Sequence, residues 1–243
     1  MKTVGLLLNA KGYFLPYVSW LLQNQKSIGY EIVGVHTNDS FAVPKNLLCS
    51  SFEDIIEKSD LVVSLSYWEK ISKESIDKVP MGIINFHHSY KLKYKGRHCA
   101  TWALKNKEKI HGSTMHFIDE NLDCGKIIDT DFFEIEASDV AEDLFYKAND
   151  VGLTLLKRNF QKIISDQKIE FKPMSEDSFT FKEKDLNHEI SLDKIQEPEN
   201  LLHEIKSLSF HGCPAPFVVI DGVKIFLKTE RYDSGKLERQ SIC

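Results

Sequence analysis

The chain has 243 residues, 42% hydrophobic and 28% charged, enough apolar material for one large domain or a main domain with a small appendage. Its 31 Lys and Arg against 36 Asp and Glu leave a net charge of −5 without a basic block, the opposite of the footprint that grips a phosphate backbone. A small or nucleotide-sized substrate is therefore favoured over nucleic acid, and no apolar run approaches the roughly 20 residues needed to cross a bilayer.

Residues 4–8 form a short, fully apolar run, predicted to be a strand covered on both faces. The run is too short for a secretion leader, and Asn9 and Lys11 follow it without a small-residue cleavage site. From Phe14, the apolar positions Phe14, Val18, Leu21 and Leu22 follow helical spacing, with Pro16 tolerable in the first turn. Residues 31–37 return to strand character, 52–58 read as a short helix and 61–65 as another buried strand. A further strand covers 81–87 and a helix 100–106.

This alternation predicts an α/β fold, a mostly parallel, Rossmann-like sheet with helices on both faces. The connection after the first strand lacks the GxGxxG phosphate fingerprint, which argues against a dinucleotide-binding domain. Residues 112–118 and 126–135 then read as a hairpin whose strands flank a long, shaped loop, 119–125. The longest helical pattern runs from 139 to 166, with Leu144, Ala148, Val151 and Leu155 on one stripe, and Asp139 with Glu142 as its capping signal.

Composition turns polar after Pro173, and a boundary near 180 divides a main domain, 1–180, from a C-terminal subdomain, 181–243. The second piece offers a helix at 198–208 and two strands, 217–220 and 223–227, joined by Asp221-Gly222, a strong two-residue turn signal. One helix and one hairpin make a poor independent core, so this piece is expected to dock on the main domain or on a second subunit.

The residues with the most chemistry are in the run Asn85-Phe86-His87-His88-Ser89. Side chains alternate along a strand, so Asn85 and His87 share a face at the carboxyl end, where open α/β sheets collect ligands. Asn85 offers an NH₂ donor and His87 a nitrogen titrating near neutrality, a pair able to polarise a carbonyl and handle a proton. Spacing alone also fits a strand end followed by a hydrogen-bonded surface histidine. Asp123, in the 119–125 loop, reads alone as a turn residue; folded back over the strand end, it would orient His87 and stabilise its charged form. The five cysteines (Cys49, Cys99, Cys124, Cys213, Cys243) are scattered and never in a CxxC pair, as expected of free thiols in a reducing cytoplasm. The histidines lack metal-ligand spacing, and no metal is expected.

Asn85-x-His87-x-Ser89, then Tyr94-Lys95-Gly96-Arg97 and Trp102-Ala103, then Asp119-x-x-x-Asp123-x-Gly125, together resemble the signature of the folate-dependent formyltransferases over residues 1 to about 165. Gly96-Arg97-His98 with Trp102-Ala103, and a tail carrying Phe179-Thr180-Phe181-Lys182 and Pro214-Ala215-Pro216-Phe217, resemble the sugar-nucleotide N-formyltransferase branch, especially enzymes acting on dTDP-4-amino-4,6-dideoxyglucose. The pattern departs from the family at Lys93 in place of Pro, Lys95 in place of Arg and Cys124 in place of a common Thr.

The resemblance implies a formyl transfer from N10-formyltetrahydrofolate to an uncharged sugar amine for surface polysaccharide synthesis, with Asn85, His87 and Asp123 catalytic and His87 either base or oxyanion stabiliser. It implies a folate pterin against Ser66, Tyr67 and Trp68 and against Ile118, Asp119 and Leu122. For the nucleotide-linked sugar it implies Asn9, Lys11, Phe41, Trp68, Lys70, Tyr94, Arg97 and Trp102, with Lys70 and Arg97 suited to the diphosphate. It also implies a homodimer formed through the tail. A glycinamide-ribonucleotide formyltransferase and a catalytically silent folate- or nucleotide-binding module are the competing readings.

Overall fold

In the computed structural model, which describes residues 1–8, 13–37 and 50–229, one six-stranded sheet carries the molecule. Its strands are β1 (Lys2–Leu8), β2 (Tyr30–Thr37), β3 (Leu61–Leu65), β4 (Ile83–His87), β6 (Ile110–Phe117) and β7 (Ile127–Glu134), in the spatial order β2-β1-β3-β4-β6-β7. The first four run parallel; β6 is antiparallel to β4, and β7 to β6. The short β5 (Tyr94–Gly96) lies outside this sheet.

The apolar runs have the two-faced burial that parallel strands require. Leu6, Leu8, Val63, Leu65, Ile84 and Phe86 pack one way, onto α1 (Leu15–Ile28) and α5 (Ala141–Ile164), with Tyr17, Leu21, Leu155 and Phe160 filling that layer. Leu7, Val62 and Ile83 pack the other way, onto Ile55 and Ile56 of α2 (Phe52–Lys58) and onto the region of α3 (Lys73–Asp77). Each fully buried aliphatic side chain here is worth about 1.5–3 kcal/mol. By the same alternation, Asn85 and His87 point to the α2 and α3 side of the sheet.

Two local predictions shift. The strand expected from 81 begins at Ile83, because Gly82 takes a left-handed conformation (φ 81°) that an extended strand cannot continue through. The long helix is not capped by Asp139 and Glu142: it starts at Ala141, and the carboxylate of Asp143 accepts the N–H of Val140 at 3.0 Å. Asp139 instead accepts the N–H of Glu136 at 2.9 Å and pairs with Lys147 at 2.8 Å.

Beyond α5 the chain returns to the main sheet's end, where β8 (Phe179–Phe181) pairs in parallel with β5. Helix α6 (Pro198–Leu208) packs on α4 (Cys99–Lys105), joined by the Lys105–Glu204 ion pair at 2.5 Å. Strands β9 (Phe217–Ile220) and β10 (Val223–Phe226) form the expected hairpin, with Asp221 (φ 49°) and Gly222 (φ 78°) both left-handed, as such a turn demands. Ile190, Leu208 and Val218 give this piece a small core of its own. Among the described residues no helix is long and apolar enough to cross a membrane.

Candidate active site

Strand β4 ends at His87, and its pairing with β6 sets the site. The register lays Asn85 opposite His116, and Nδ2 of Asn85 lies 3.2 Å from Nε2 of His116. On the other ring nitrogen, Nδ1 of His116 is 2.8 Å from the carbonyl of Phe117, which only an N–H can satisfy. Nε2 therefore carries the lone pair and accepts from Asn85, fixing the Asn85 amide with one hydrogen engaged and one free. Burial pushes His116 down to about 4, against the nearby Asp123 charge, so it is neutral at physiological pH.

His87 is held in the opposite charge state. Its Nε2 donates to the carbonyl of Tyr94 at 2.7 Å and lies 3.3 Å from Sγ of Cys99, so Nε2 keeps its proton in either state. Nδ1 faces Oδ2 of Asp123 at 3.6 Å, too far for a hydrogen bond, and is the nitrogen left to exchange a proton. Burial alone lowers the pKa of His87, but the Asp123 carboxylate, the Cys99 sulfur and the Tyr94 carbonyl outweigh it and raise it to about 10.

Asp123 reaches this point because the hairpin loop folds back over the end of β4. The N–H of Ile118 donates to the carbonyl of Ile83 at 2.7 Å, tying the loop's start to β4. Asp123 sits at a left-handed φ of 50°, with a side chain only 9% exposed, and its Oδ2 accepts the N–H of Gly96 at 2.8 Å. Gly125 is required by contact: a Cβ there would stand 1.8 Å from the carbonyl oxygen of Phe117. Lys95, 8% exposed, donates to Sγ of Cys124 at 3.1 Å and closes the loop against β5.

The remaining predicted residues divide into three groups. Ser66 (φ 57°), Trp68, Lys70 and Leu122 are exposed, and Ile118 and Asp119 are half-buried at the loop. Arg97, also exposed, holds its guanidinium 5.3 Å from the centre of the Trp68 ring, so β5 and the loop after β3 meet. Tyr67, Tyr94 and Trp102 have structural neighbours: Tyr67 stacks on Phe52 at 6.0 Å, Trp102 stacks on Phe181 at 3.9 Å, and the buried Tyr94 donates its hydroxyl to Glu108 at 2.6 Å. Asn9, Lys11 and Phe41 lie outside the described residues.

Four participants escaped the sequence reading: His116, Cys99, the Tyr94 carbonyl and the Gly96 N–H. Two are backbone groups, without a residue-type signal. His116 becomes visible only once β6 is registered against β4. Ser64, the register partner of Asn85 on β3, is fully buried, and its hydroxyl has no partner among the described residues. No group of three His, Cys, Asp or Glu suited to a metal occurs among the described residues.

Residues 46–159 match the model of a family described as formyl transferase. A methionyl-tRNA formyltransferase of Clostridium tetani (strain Massachusetts / E88) is 35% identical over 107 residues, 44% of this chain and 34% of that protein. Across such curated relatives the match spans 28% to 50% of their own length. A sugar N-formyltransferase structure from Shewanella sp FDAARGOS_354 superposes with a TM-score of 0.79 at 18% identity, over 96% of this chain and 98% of the other. An N-formyltransferase from Helicobacter canadensis, in complex with folinic acid and dTDP-3-aminofucose, superposes with a TM-score of 0.75 at 22% identity, over 93% and 86%. The chain thus resembles formyltransferases in sequence over residues 46–159, and shares the fold of the sugar N-formyltransferases over nearly all its length.

Proposed function

We propose that this chain is a folate-dependent N-formyltransferase that carries a formyl group from N10-formyltetrahydrofolate to the amine of a nucleotide-linked amino sugar. The acceptor in this reading is dTDP-4-amino-4,6-dideoxyglucose, and the product enters surface polysaccharide synthesis. The observation that carries the reading is the meeting of Asn85, His87 and Asp123 at the carboxyl end of β4, with His87 charged and Asn85 oriented by His116.

The carrier, when bound, supplies an electrophilic formyl carbon; the chain's own groups do the rest. Attack by the amine nitrogen forms a C–N bond and drives negative charge onto the formyl oxygen. The free Nδ2 hydrogen of Asn85 and the Nδ1–H of His87 are the donors available to that charge, a role worth about 10²–10³ in rate per donor. The amine must also lose a proton. Oδ2 of Asp123 is engaged by the N–H of Gly96, whereas Oδ1 faces the unprotonated Nε2 of His116 at 3.8 Å, so Oδ1 is the acceptor. As the bond from carbon to the carrier nitrogen breaks, Nδ1–H of His87 protonates the leaving nitrogen; Asp123 then releases its proton to solvent and His87 takes one up, which restores both groups.

A docked tail supports the branch assignment, since a helix and hairpin extend the fold beyond the catalytic sheet over the length shared with the sugar enzymes. We further propose that 1–180 serve catalysis and 181–243 self-association. Val223, Ile225 and Phe226 of β10 are all exposed, an apolar strand surface suited to a second copy of the chain. Sedimentation equilibrium tests this: a dimer lost in Phe226→Lys is expected, and a monomer at every concentration contradicts it. The transfer reaction is tested by incubating the protein with N10-formyltetrahydrofolate and the amino sugar nucleotide, following the sugar's mass. Gain of one formyl group is expected; an unchanged sugar, with every amine offered, contradicts the reading.

A further inference from the structure

Parallel pairing of β8 with β5 brings the start of the tail to the rim of the candidate site: the N–H of Arg97 donates to the carbonyl of Phe181 at 3.0 Å. Glu183, two residues on, turns its carboxylate to the same rim. Its Oε2 lies 3.2 Å from Nη1 of Arg97 and 3.1 Å from Nε2 of His98. The Arg97 guanidinium stands in turn 5.3 Å from the centre of the Trp68 ring, which is 65% exposed. One carboxylate oxygen is thus shared by two basic side chains beside an open indole. Gly96, next to Arg97 in the chain, gives its N–H to Asp123, so this cluster borders the catalytic loop.

A guanidinium fork, an imidazole and a flat aromatic face together suit an anion joined to a ring system. Phosphate oxygens satisfy the fork as a carboxylate does, and a base stacks on an indole. We propose that Glu183 is an internal stand-in for the diphosphate of a nucleoside diphosphate ligand. It occupies the Arg97–His98 anion site when the protein is empty and yields it when the nucleotide arrives with its base on Trp68. The inference rests on the reading of the acceptor as a nucleotide-linked sugar, and it adds the tail residue that sets acceptor affinity. Both members of the Arg97–Glu183 pair are substantially solvated, so the contact is weak enough to exchange. A diphosphate brings more charge and more oxygens to the same donors.

The test is calorimetric titration of the full chain with dTDP, and with thymidine as the phosphate-free control, on wild type, Glu183→Gln, Arg97→Ala and the double variant. Removing a competitor held by one exposed ion pair and one half-buried imidazole contact tightens dTDP binding roughly two- to tenfold, an effect that shrinks with added salt. Thymidine binding stays unchanged, and the gain vanishes in the Arg97→Ala background. Equal or weaker dTDP binding by Glu183→Gln overturns the stand-in role, even where the wild type formylates a nucleotide sugar. A wild type that binds no dTDP yet formylates a simple amine overturns the acceptor reading instead, and the present inference with it.

Discussion

Nδ2 of Asn85 and Nε2 of His116 lie 3.2 Å apart across the β4–β6 pairing, and this contact decides which way the Asn85 amide points. With one N–H engaged by His116, the other is preorganised for an oxyanion and needs no rearrangement as charge develops. Asn85→Ala is expected to lower kcat by at least about a hundredfold. His116→Gln, whose amide oxygen can still accept from Asn85, should retain more turnover than His116→Ala. Wild-type turnover in Asn85→Ala, or equal loss in both His116 variants, would count against the assignment.

Asp123 is the counter-charge of His87. In Asp123→Asn the burial of His87 remains while its partner charge is gone, so its pKa falls well below the wild-type value of about 10. Titration of the His87 ring by NMR should detect the change, and kcat should collapse with it. The wild-type rate needs charged His87, so it holds through neutral pH and declines only as the pH approaches 10. A His87 pKa unmoved in Asp123→Asn would refute the pairing.

Buried histidines also give stability a pH dependence of known sign. His88 and His111 are pushed down to about 3, and His116 to about 4, chiefly by burial. As the pH drops below their ordinary 6.5, the unfolded chain takes up these protons and the folded chain does not, so stability falls toward pH 4. Each such group contributes up to about 1.4 kcal/mol per pH unit in that window. His87 acts in reverse: its stabilisation is complete below pH 6.5 and is lost as the pH rises towards 10. Melting temperature should therefore peak near pH 6.5 in a series of thermal melts, with a shallower acid limb in His111→Gln. A flat profile from pH 4 to 6.5 would contradict the burial of these histidines.

Gly125→Ala drives a Cβ to 1.8 Å from the Phe117 carbonyl oxygen, a backbone contact that cannot yield without moving the loop. Asp123 lies two residues away, so the variant should lose most activity, and the His87 titration should shift as in Asp123→Asn. Activity within twofold of wild type would mean that the loop adjusts without carrying Asp123 along.

Much of this architecture could be read from the chain, because its determinants are local. The apolar runs at β1 and β3 announce strands buried on both faces, and Asp221-Gly222 announces the turn that joins β9 to β10. Asn85 and His87 fall on one face by simple alternation. What could not be read depends on distant pairing: His116 gains its role from antiparallel register, and Tyr94 and Gly96 act through backbone groups that any residue possesses. The same holds for β8, three residues long, whose pairing with β5 spans a stretch where composition alone suggests a boundary. The cap of α5 moves by one position, from Asp139 and Glu142 to Val140 and Asp143, because the carboxylate of Asp139 is held by its ion pair to Lys147.

The measurement that tests the central claim most directly is a mass-spectrometric assay with N10-formyltetrahydrofolate and dTDP-4-amino-4,6-dideoxyglucose, run on the wild type and on Asp123→Asn. The account predicts one formyl group gained by the sugar with the wild type and none with the variant. Formylation by the two proteins at equal rates would remove Asp123 from the chemistry. Failure to formylate this sugar, its 3-amino isomer or any nucleotide-linked amine, despite folate binding, would contradict the assignment as a transferase.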